Sequence, residues 1–460
     1  MKKFIYMSLL FAAVFTSCSK WTETENNTER FEKAALEDLK EKRDGAKWVA
    51  EAARTEENRR ALEAYWEQLR EYKAKTWLNT GREGGQMPMV YMWYDGSSWQ
   101  PVKGFARGWL QSVPDSVVAI SIWGGLGGLH PEELTANHKK DIEIFHKKGS
   151  AILMCWQTPS VGTGLPSYTE GKSGYQAFHA KYPFAECYAQ WPEIYARELA
   201  RYIISLDFDG YDIDWETCGD HGAVTKEGTP LMIEDNNYEN IAKFVKEMAK
   251  YFGPVGTNHI AKTQAERENN LKALFDANTA GFHAKEKEFI EKLTPHLPAN
   301  YFSKRYYLCA DVPCGIAPIF GNSSTSPIVG ENKFAIYFDK HFMQDYEHNG
   351  VNTSGSHPPM LGGPYYNSTT ASYQKAIFHV LIQKGKDVRA GKVWGIGAYH
   401  GQSDYTISYD SHEDFKRYMR ENNLTRKYLH YTWTREAIRL ANPRPDYSGY
   451  KEMEPMIILP

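Results

Sequence analysis

The chain has 460 residues with a formal net charge of -3, of which 42% are hydrophobic and 24% are charged. This length can bury a large core, and because a single α/β barrel commonly exceeds about 200 residues, several domains are not required. The near-neutral charge excludes a global basic field, so no nucleic-acid partner is expected. Aromatic residues reach 14%, and their flat faces could stack on sugars or pack in a core.

The first 17 residues have the layout of a secretory signal. Lys2 and Lys3 precede an apolar stretch from Phe4 to Phe15, which is too short to span a bilayer. The stretch ends in Phe15-Thr16-Ser17-Cys18, which resembles the bacterial lipobox and implies Cys18 as the lipidated first residue of the mature protein. We therefore expect residues 1–17 to be a lipoprotein signal peptide. Cys18 would anchor the protein to the cell outer membrane, on its surface or periplasmic face.

The remaining cysteines are Cys155, Cys187, Cys218, Cys309 and Cys314. Their odd number argues against a fully paired disulfide framework, although Cys309 and Cys314 could either pair or stay reduced. No spacing of cysteine and histidine resembles a zinc site. We therefore expect no metal and no cofactor.

Residues 18–85 are predicted to form a tether and a helical extension. Apolar residues recur at helical intervals between Asn26 and Trp77 in a highly charged stretch, which predicts one or two amphipathic helices. These helices could lie on the main domain or lift it from the membrane. Gly81 to Gly85 is a plausible linker, and the main domain is predicted to span residues 86–460.

Past Gly85, short apolar runs alternate with helical stretches, a pattern typical of repeated βα units. Predicted helices include Trp191 to Ser205, Tyr238 to Tyr251 and Ser372 to Lys384. An eighth strand must lie between Tyr346 and Arg389, with Pro359-Met360-Leu361 as its candidate. The other seven predicted strands are Met89 to Tyr94, Val117 to Trp123, Ala151 to Trp156, Phe208 to Asp214, Tyr306 to Ala310, Phe342 to Tyr346 and Val393 to Tyr399.

The predicted fold is α/β, a (β/α)8 TIM barrel with an N-terminal helical extension. A doubly wound open sheet would also alternate strands and helices, but no Gly-rich phosphate loop follows the first strand. Catalytic groups of such barrels collect at the C-terminal ends of the strands. Polar and aromatic residues that close the predicted strands are therefore candidate site residues: Tyr94, Trp123, Trp156, Glu216, Gln344, Tyr346 and Tyr399.

Residues 209–216 read Asp-Gly-Tyr-Asp-Ile-Asp-Trp-Glu and follow an apolar run. Side chains at every second position of a strand share a face, roughly 6 to 7 Å apart. Asp212, Asp214 and Glu216 therefore point one way, and Ile213 points the other way with Trp215. Like charges raise each other's proton affinity, so one of the three acids should hold a proton near neutral pH, as a general acid must.

Two other interpretations of these acids were weighed. Carboxylates bind calcium or magnesium, but such sites normally draw on loop oxygens and carbonyls at other spacings. A purely structural set of buried acids costs stability unless every oxygen is satisfied. Acid and base chemistry is the preferred interpretation.

The motif resembles the Asp-x-x-Asp-x-Asp-x-Glu signature of glycoside hydrolase family 18, with no mismatch at Asp209, Asp212, Asp214 and Glu216. The resemblance implies that Glu216 is the general acid and base and that Asp214 holds the acetamido group of the substrate. It also implies that Asp212 shares charge or a proton with Asp214. Asp209 would support the turn, and we group it with the substrate-binding candidates. In this family the 2-acetamido oxygen of the sugar attacks the anomeric carbon, so substrates must carry N-acetylglucosamine at the cleaved position.

Two strand ends favour the endo-β-N-acetylglucosaminidase branch over chitinases. Gln344-Asp345-Tyr346 is closer to the Gln-x-Tyr of that branch, in which Tyr346 would bind the acetamido carbonyl, and the last strand ends in Tyr399 instead of Trp. Gln344 and Tyr346 as ordinary barrel-lining residues remain an alternative. One departure is that Ser121-Ile122-Trp123-Gly124-Gly125 resembles a third-strand motif of the family but lies on the second predicted strand.

The resemblance predicts a Bacteroidetes-type lipoprotein enzyme that cleaves between the two core N-acetylglucosamines of N-linked glycans or glycoproteins. A chitinase-like hydrolase is one alternative. The other is a catalytically idle glycan-binding lipoprotein on the same barrel, although such a protein would be free to lose Glu216.

Overall fold

The structure is a computed structural model. It describes residues 56–78, 89–96, 99, 110, 113–124, 126, 128–157, 161–214, 238–312, 334–344, 359–360, 381–383, 385–390, 395–399, 401–406, 413–424, 428 and 431–441.

Eight strands form one sheet in which every paired neighbour is parallel. All eight predicted strand positions are confirmed, including the one at Pro359. Within the described residues, three bounds differ by two residues: β4 begins at Gly210 instead of Phe208, β5 ends at Val312 instead of Ala310, and β6 begins at Lys340 instead of Phe342. The strands are β1 Met89–Asp95, β2 Val117–Trp123, β3 Ala151–Gln157, β4 Gly210–Asp214, β5 Tyr307–Val312, β6 Lys340–Gln344, β7 Pro359–Met360 and β8 Gly395–Tyr399.

The order of the strands is β7-β6-β5-β4-β3-β2-β1-β8. Because β8 pairs with β1 and also contacts β7, the sheet returns on itself. Parallel neighbours need crossover connections, which are usually helical, and in the described part of the chain α-helices follow β2, β3, β4 and β8. The fold is therefore the predicted (β/α)8 barrel.

The helix Trp191–Ser205 has the predicted bounds, whereas the helix that begins at Tyr238 ends at Met248, before the predicted Tyr251. Residues 372–380 of another predicted helix lie outside the described residues. The α-helices are α1 Glu56–Leu78, α2 Ala136–Lys147, α3 Gly174–Lys181, α4 Phe184–Cys187, α5 Trp191–Ser205, α6 Tyr238–Met248, α7 Gln264–Leu274, α8 Glu286–Leu293, α9 Glu413–Glu421 and α10 Thr432–Ala441.

Alternate side chains of each strand enter two separate apolar layers. On β1, Met92 and Tyr94 join the large core between the sheet and the surrounding helices. Tyr91 and Trp93 instead join a smaller cluster with Leu153 and Phe342, which are on other strands. This smaller cluster fills the inside of the barrel, as side chains do in barrels of this size.

Helix α1 packs on the end of the barrel where the strands begin. Tyr65 donates a hydrogen bond to Asp115 just before β2, and Lys73 Nζ donates to Ser150 Oγ just before β3 at 2.7 Å. Trp77 stacks on Tyr307, the first residue of β5, with ring centroids 4.0 Å apart, and belongs to the inner cluster. The described part of the helical extension, Glu56–Leu78, therefore lies on the main domain, one of the two arrangements that the sequence left open.

Among the described residues, none of the helices has both the length and the apolar character needed to cross a membrane. Cys155, Cys187 and Cys309 are buried and free. Cys18, Cys218 and Cys314 lie outside the described residues.

Candidate active site

Strand β4 carries two of the motif acids into the barrel. Asp212 and Asp214 are 0% and 1% exposed, and Tyr211 and Ile213 pack in the outer core. The strand lies so close to β5 that a Cβ atom on Gly210 would be 2.0 Å from the carbonyl oxygen of Tyr307. The predicted alternation of acids inside and apolar residues outside is thus present from 210 to 214.

Asp212 receives hydrogen bonds from β1 and β2, across the inside of the barrel, all at one oxygen. Trp93 Nε1 and Ser121 Oγ each donate to Asp212 Oδ2 at 2.8 Å. Tyr91 Oη lies 3.2 Å from the same oxygen and 3.1 Å from Ser121 Oγ. The other oxygen, Oδ1, has no hydrogen-bond partner among the described residues.

Burial raises the pKa of Asp212 from 3.8 to about 6, although the hydrogen bonds from Ser121, Trp93 and Tyr91 each lower it. These donors are neutral, so none supplies the positive charge that would fully offset the loss of hydration. Asp212 therefore carries a proton for part of the time near neutral pH. This behaviour suits a group that exchanges a proton with its neighbour in the motif.

Asp214 ends β4 and lies beside two aromatic residues that end other strands. Trp123 Nε1, from β2, donates a hydrogen bond to Asp214 Oδ2 at 3.1 Å. The ring of Trp123 meets the ring of Tyr399, from β8, edge to face with centroids 5.9 Å apart. The barrel therefore brings Asp214, Trp123 and Tyr399 together at the carboxyl ends of three strands. Trp123 lies on the second strand, as the sequence predicted, and from there its indole N–H reaches Asp214.

Asp311 and Cys155 are parts of this cluster that the sequence analysis did not select. Asp311 is 1% exposed and pairs in register with Asp214, and the thiol of Cys155 lies 3.6 Å from Asp311 Oδ2. The predicted fifth strand ends at Ala310, the residue before Asp311, whereas β5 continues to Val312. An acid directly after the predicted strand was the signal available in the sequence.

The sulfur of Cys155 and carboxylate oxygens of Asp214 and Asp311 lie within 4.8 Å of one another, close enough for the three residues to hold a metal ion together. Binding would require the thiol to lose its proton. Burial, together with Asp311, Asp212 and Asp214, raises the pKa of Cys155 well above its usual range. Burial beside these carboxylates therefore favours the protonated form of the Cys155 thiol in this structure.

Asp209 lies before β4, at the opposite end of the barrel. Its Oδ2 accepts hydrogen bonds from the backbone N–H of Ile152 at 2.7 Å and from His146 Nε2 at 2.8 Å, and Lys304 Nζ is 2.8 Å from Oδ1. Five residues of strand separate Asp209 from Asp214, roughly 16 Å. Asp209 is too far from Asp214 to bind the same substrate group, so we remove it from the substrate-binding candidates. Its contacts fit its other predicted role, which is to support the turn before β4.

Two aromatic candidates do not join the cluster. Tyr94 is fully buried in the outer core, where its hydroxyl lies 2.6 Å from that of Tyr431, and Trp156 packs against the same outer core. The prediction selected the residue at the end of each strand. Side chains alternate between the inside and the outside of the barrel along a strand, so Trp93 and Cys155 lie inside, and Tyr94 and Trp156 lie outside. We therefore remove the fully buried Tyr94 from the substrate-binding candidates, whereas the half-buried Trp156 stays a prediction.

Three predicted functional residues, Glu216, Tyr346 and Cys18, lie outside the described residues. Gln344 ends β6, and its backbone pairs in register with Met360 of β7. The chain continues from Asp214 through Trp215 to Glu216, which places the predicted general acid two residues beyond the described end of β4.

The described part of the site has the groups that acid and base chemistry requires. It holds an acid with a raised pKa, a second acid fixed by an indole N–H, and an aromatic pair at the barrel mouth. Buried carboxylates with such different surroundings are typical of sites that separate acid and base roles.

No family model matches the chain, and no curated protein matches it. Among solved structures, a selenomethionine-labelled glutamate-to-glutamine variant of the protein BT1044 is similar, with 17% identity, a TM-score of 0.44 and coverage of 83% of this chain and 93% of that one. An endo-β-N-acetylglucosaminidase from Cordyceps militaris matches with 14% identity, a TM-score of 0.35 and coverage of 82% and 96%. A family 18 chitinase from Pseudoalteromonas aurantia matches with 13% identity, a TM-score of 0.32 and coverage of 69% and 95%. Identities and TM-scores this low say nothing about activity or substrate.

Proposed function

We propose that this protein is an endo-β-N-acetylglucosaminidase that cleaves between the two core N-acetylglucosamines of N-linked glycans by substrate-assisted, retaining hydrolysis. The observation that carries the proposal is Asp214, buried at the carboxyl end of β4 and oriented by Trp123. Asp212 lies behind it on the same strand, and the motif continues to Glu216.

In this mechanism the acetamido oxygen of the substrate attacks its own anomeric carbon, so no carboxylate nucleophile is needed. Asp214 accepts a hydrogen bond from the acetamido N–H and stabilises the positive charge that develops on the oxazolinium ring. Glu216 protonates the leaving oxygen and then activates a water molecule. Trp123 and Tyr399 would offer aromatic faces to the sugar beside Asp214.

The raised pKa of Asp212 supports this division of roles. A proton on Asp212 leaves Asp214 free to carry the negative charge that the oxazolinium ring requires. If Asp212 and Asp214 were both charged, they would repel each other, because they occupy successive inward positions of one strand. Asp212 thus serves as the partner that takes up or releases a proton as the charge on the substrate changes.

The test is a glycan-release assay on an N-glycosylated protein, run beside chitin oligomers and analysed by mass spectrometry. Released glycans that retain one N-acetylglucosamine, with the other left on the protein, support the proposal. Products from chitin oligomers alone would instead identify a chitinase-like hydrolase. Binding of the glycoprotein without any product would identify a glycan-binding protein. High-mannose, hybrid and complex substrates in parallel would define the preferred glycan class.

We also propose that Cys18 carries a lipid anchor, on the basis of the charged, apolar and lipobox segments at residues 1–18. A lipid-labelled product in cells that express the wild type, absent in Cys18→Ala, supports the anchor. Equal labelling of the two proteins contradicts it. Protease accessibility in intact cells then distinguishes the surface from the periplasmic face of the outer membrane.

A further inference from the structure

A cavity of about 280 Å³ lies outside the barrel. It is lined by helices α3, α5 and α8 and by residues 165–169, which follow β3. Its apolar lining, including Phe178 and Phe289, belongs to the outer core, whereas Asp214 points into the barrel. The cavity is therefore separate from the candidate active site, and the proposed hydrolysis makes no use of it.

Glu198 of α5 gives the cavity a hydrogen-bond acceptor whose position is fixed. Its side chain is 3% exposed, and its Oε1 accepts hydrogen bonds from Lys181 Nζ at 2.8 Å and from Tyr182 Oη at 2.6 Å. The other oxygen, Oε2, accepts no hydrogen bond from the described residues. Because Glu198 lines the cavity, this oxygen can accept a hydrogen bond from a ligand.

Lys181 of α3 gives the cavity a donor beside that acceptor. An ammonium group has three N–H donors, and Nζ uses one of them on Glu198. The same Nζ lies 5.2 Å from the centre of the Phe289 ring, so the donor and an aromatic wall border the same part of the cavity. A hydroxyl group both donates and accepts, so a ligand with neighbouring hydroxyl groups can bond to Lys181 and Glu198 together.

Two aromatic rings form an apolar corner of the cavity. The rings of Tyr168 and Phe289 have centroids 6.0 Å apart and planes at 73° to each other. Their faces offer flat apolar surface to the C–H groups of a ligand. Pockets for drug-sized ligands begin at about 300 Å³, so the volume suits a single ring better than a chain of several sugars.

The charges of the lining balance each other. Lys181 and Lys292 carry positive charge, and Glu198 and Glu288 carry negative charge. An anion in the cavity would meet two carboxylates, and a cation would meet two ammonium groups, so either would be opposed by like charges. The lining therefore favours an uncharged ligand with hydroxyl groups on one edge and an apolar face, which is the chemistry of a neutral sugar ring.

We propose that this cavity is a second, noncatalytic binding site for a single neutral pyranose ring. Hydroxyl groups of the ring bond to Lys181 Nζ and Glu198 Oε2, and its C–H face packs in the corner of Tyr168 and Phe289. The inference goes beyond the proposed function and does not depend on it, because no bond of the ligand is broken here. A single ring with so few contacts should bind with a Kd on the order of 1 mM.

The experiment is a titration of the full chain with glucose, mannose or N-acetylglucosamine, followed by the methyl NMR signal of Ala180. This alanine lines the cavity, so its signal reports on the cavity even if a sugar also enters the active site. Ala177→Leu fills the cavity from α3 with a residue that favours helices. Ala64→Leu makes the same change at an exposed position of α1 and is the matched control.

We expect at least one of the neutral sugars to move the Ala180 signal in the wild type and in Ala64→Leu, and none to move it in Ala177→Leu. A signal that stays in place in the wild type at about tenfold the expected Kd would overturn the proposal. A signal that moves equally in Ala177→Leu would overturn it as well.

Two further titrations test the chemistry of the site. Glu198→Gln keeps an oxygen for Lys181 and Tyr182 but replaces the open acceptor with an amide donor, and we expect about tenfold weaker affinity. Glucosamine and glucuronate add a positive and a negative charge to the glucose ring, and we expect each to bind at least about tenfold more weakly than the neutral sugar. Affinities unchanged by the substitution or by the charges would contradict the proposal.

This readout is independent of activity. If the wild type cleaves no glycan, the proposed function fails, and the Ala180 signal still tests the second site. If the wild type cleaves glycans but the neutral sugars leave the signal in place, the second site fails and the proposed function stands.

Discussion

Asp209 and Asp212 belong to one eight-residue motif, three positions apart, yet the barrel gives them opposite electrostatic environments. Burial alone would raise the pKa of Asp209, but His146 and Lys304 lower it to about 2. Burial raises the pKa of Asp212 to about 6, because its hydrogen-bond donors are neutral. The same residue type is therefore a fixed charge at one end of the motif and a proton carrier within it.

The difference teaches how the barrel divides stability from chemistry. At the amino end of the strands, Asp209 binds Lys304, His146 and the backbone N–H of Ile152, and so ties a helix and two strand starts together. Toward the carboxyl end, Asp212 has only neutral hydrogen-bond donors and retains a proton that a reaction can use. Whether an acid of this motif stays charged, as Asp209 does, or exchanges a proton, as Asp212 does, is decided by its hydrogen-bond and ion-pair partners. The motif alone does not decide it.

The largest expected effect is at the carboxyl end of the motif. Glu216→Gln keeps the shape of the side chain but removes the transferable proton, and we expect kcat to fall by about 10²–10⁴-fold with glycan binding preserved. Glycan release and calorimetric titration with a glycopeptide measure the two quantities. Activity like that of the wild type would show that Glu216 is not the general acid.

Asp209→Asn should instead weaken the fold. The substitution leaves His146 and Lys304 without their shared buried carboxylate, and we expect a loss of about 3 kcal/mol in the free energy of unfolding at neutral pH. Because the pKa of Asp209 in the folded protein is lowered from 3.8 to about 2, its contribution is present above pH 4 and is lost as the pH falls toward 2. Urea denaturation at pH 7 and pH 3 measures it. If folded Asp209→Asn lost as much kcat as Glu216→Gln, Asp209 would have a catalytic role, and the contrast between the two ends of the motif would not hold.

Asp212→Asn should show the opposite pH dependence. The folded protein binds a proton at Asp212 more tightly than the unfolded chain does, so the acid stabilises the fold most below pH 4 and loses that contribution as the pH rises through about 6. Relative to the wild type, we therefore expect the variant to gain about 2 kcal/mol of stability between pH 4 and pH 8. Urea denaturation at the two pH values measures the gain. A difference between the two proteins that does not change with pH would mean that Asp212 titrates normally.

Trp123→Phe should have the smallest effect of these variants. It removes the N–H that Asp214 accepts at 3.1 Å but keeps an aromatic ring near Tyr399. We expect kcat to fall about tenfold, the value of one hydrogen bond to a charged group, with little change in stability. Steady-state kinetics and thermal denaturation test both parts. Trp433→Phe, in the outer core, is the matched control and should leave kcat unchanged.

The sequence was sufficient for the architecture because strands and barrels leave local signals. Apolar runs at regular spacing identified every strand, including Pro359–Met360, and α5 was predicted with its observed bounds. Alternation on β4 correctly placed Asp212 and Asp214 on one face with Ile213 opposite. These features depend on neighbours a few residues apart.

The rest depends on contacts between distant parts of the chain. Tyr94 was predicted to bind substrate because it lies at the end of a strand. Its neighbour Trp93 points into the barrel and reaches Asp212, so Tyr94 points outward, and this orientation depends on contacts with other strands. Asp311 is 97 residues from Asp214, and only the pairing of β4 with β5 brings the two together. Likewise, the partners that give Asp209 its low pKa come from α2 and from the segment before β5.

The docking of α1 determines from which end of the barrel a ligand can reach Asp214. Trp77 closes the floor of the barrel, so a sugar chain can approach Asp214 only through the opposite rim.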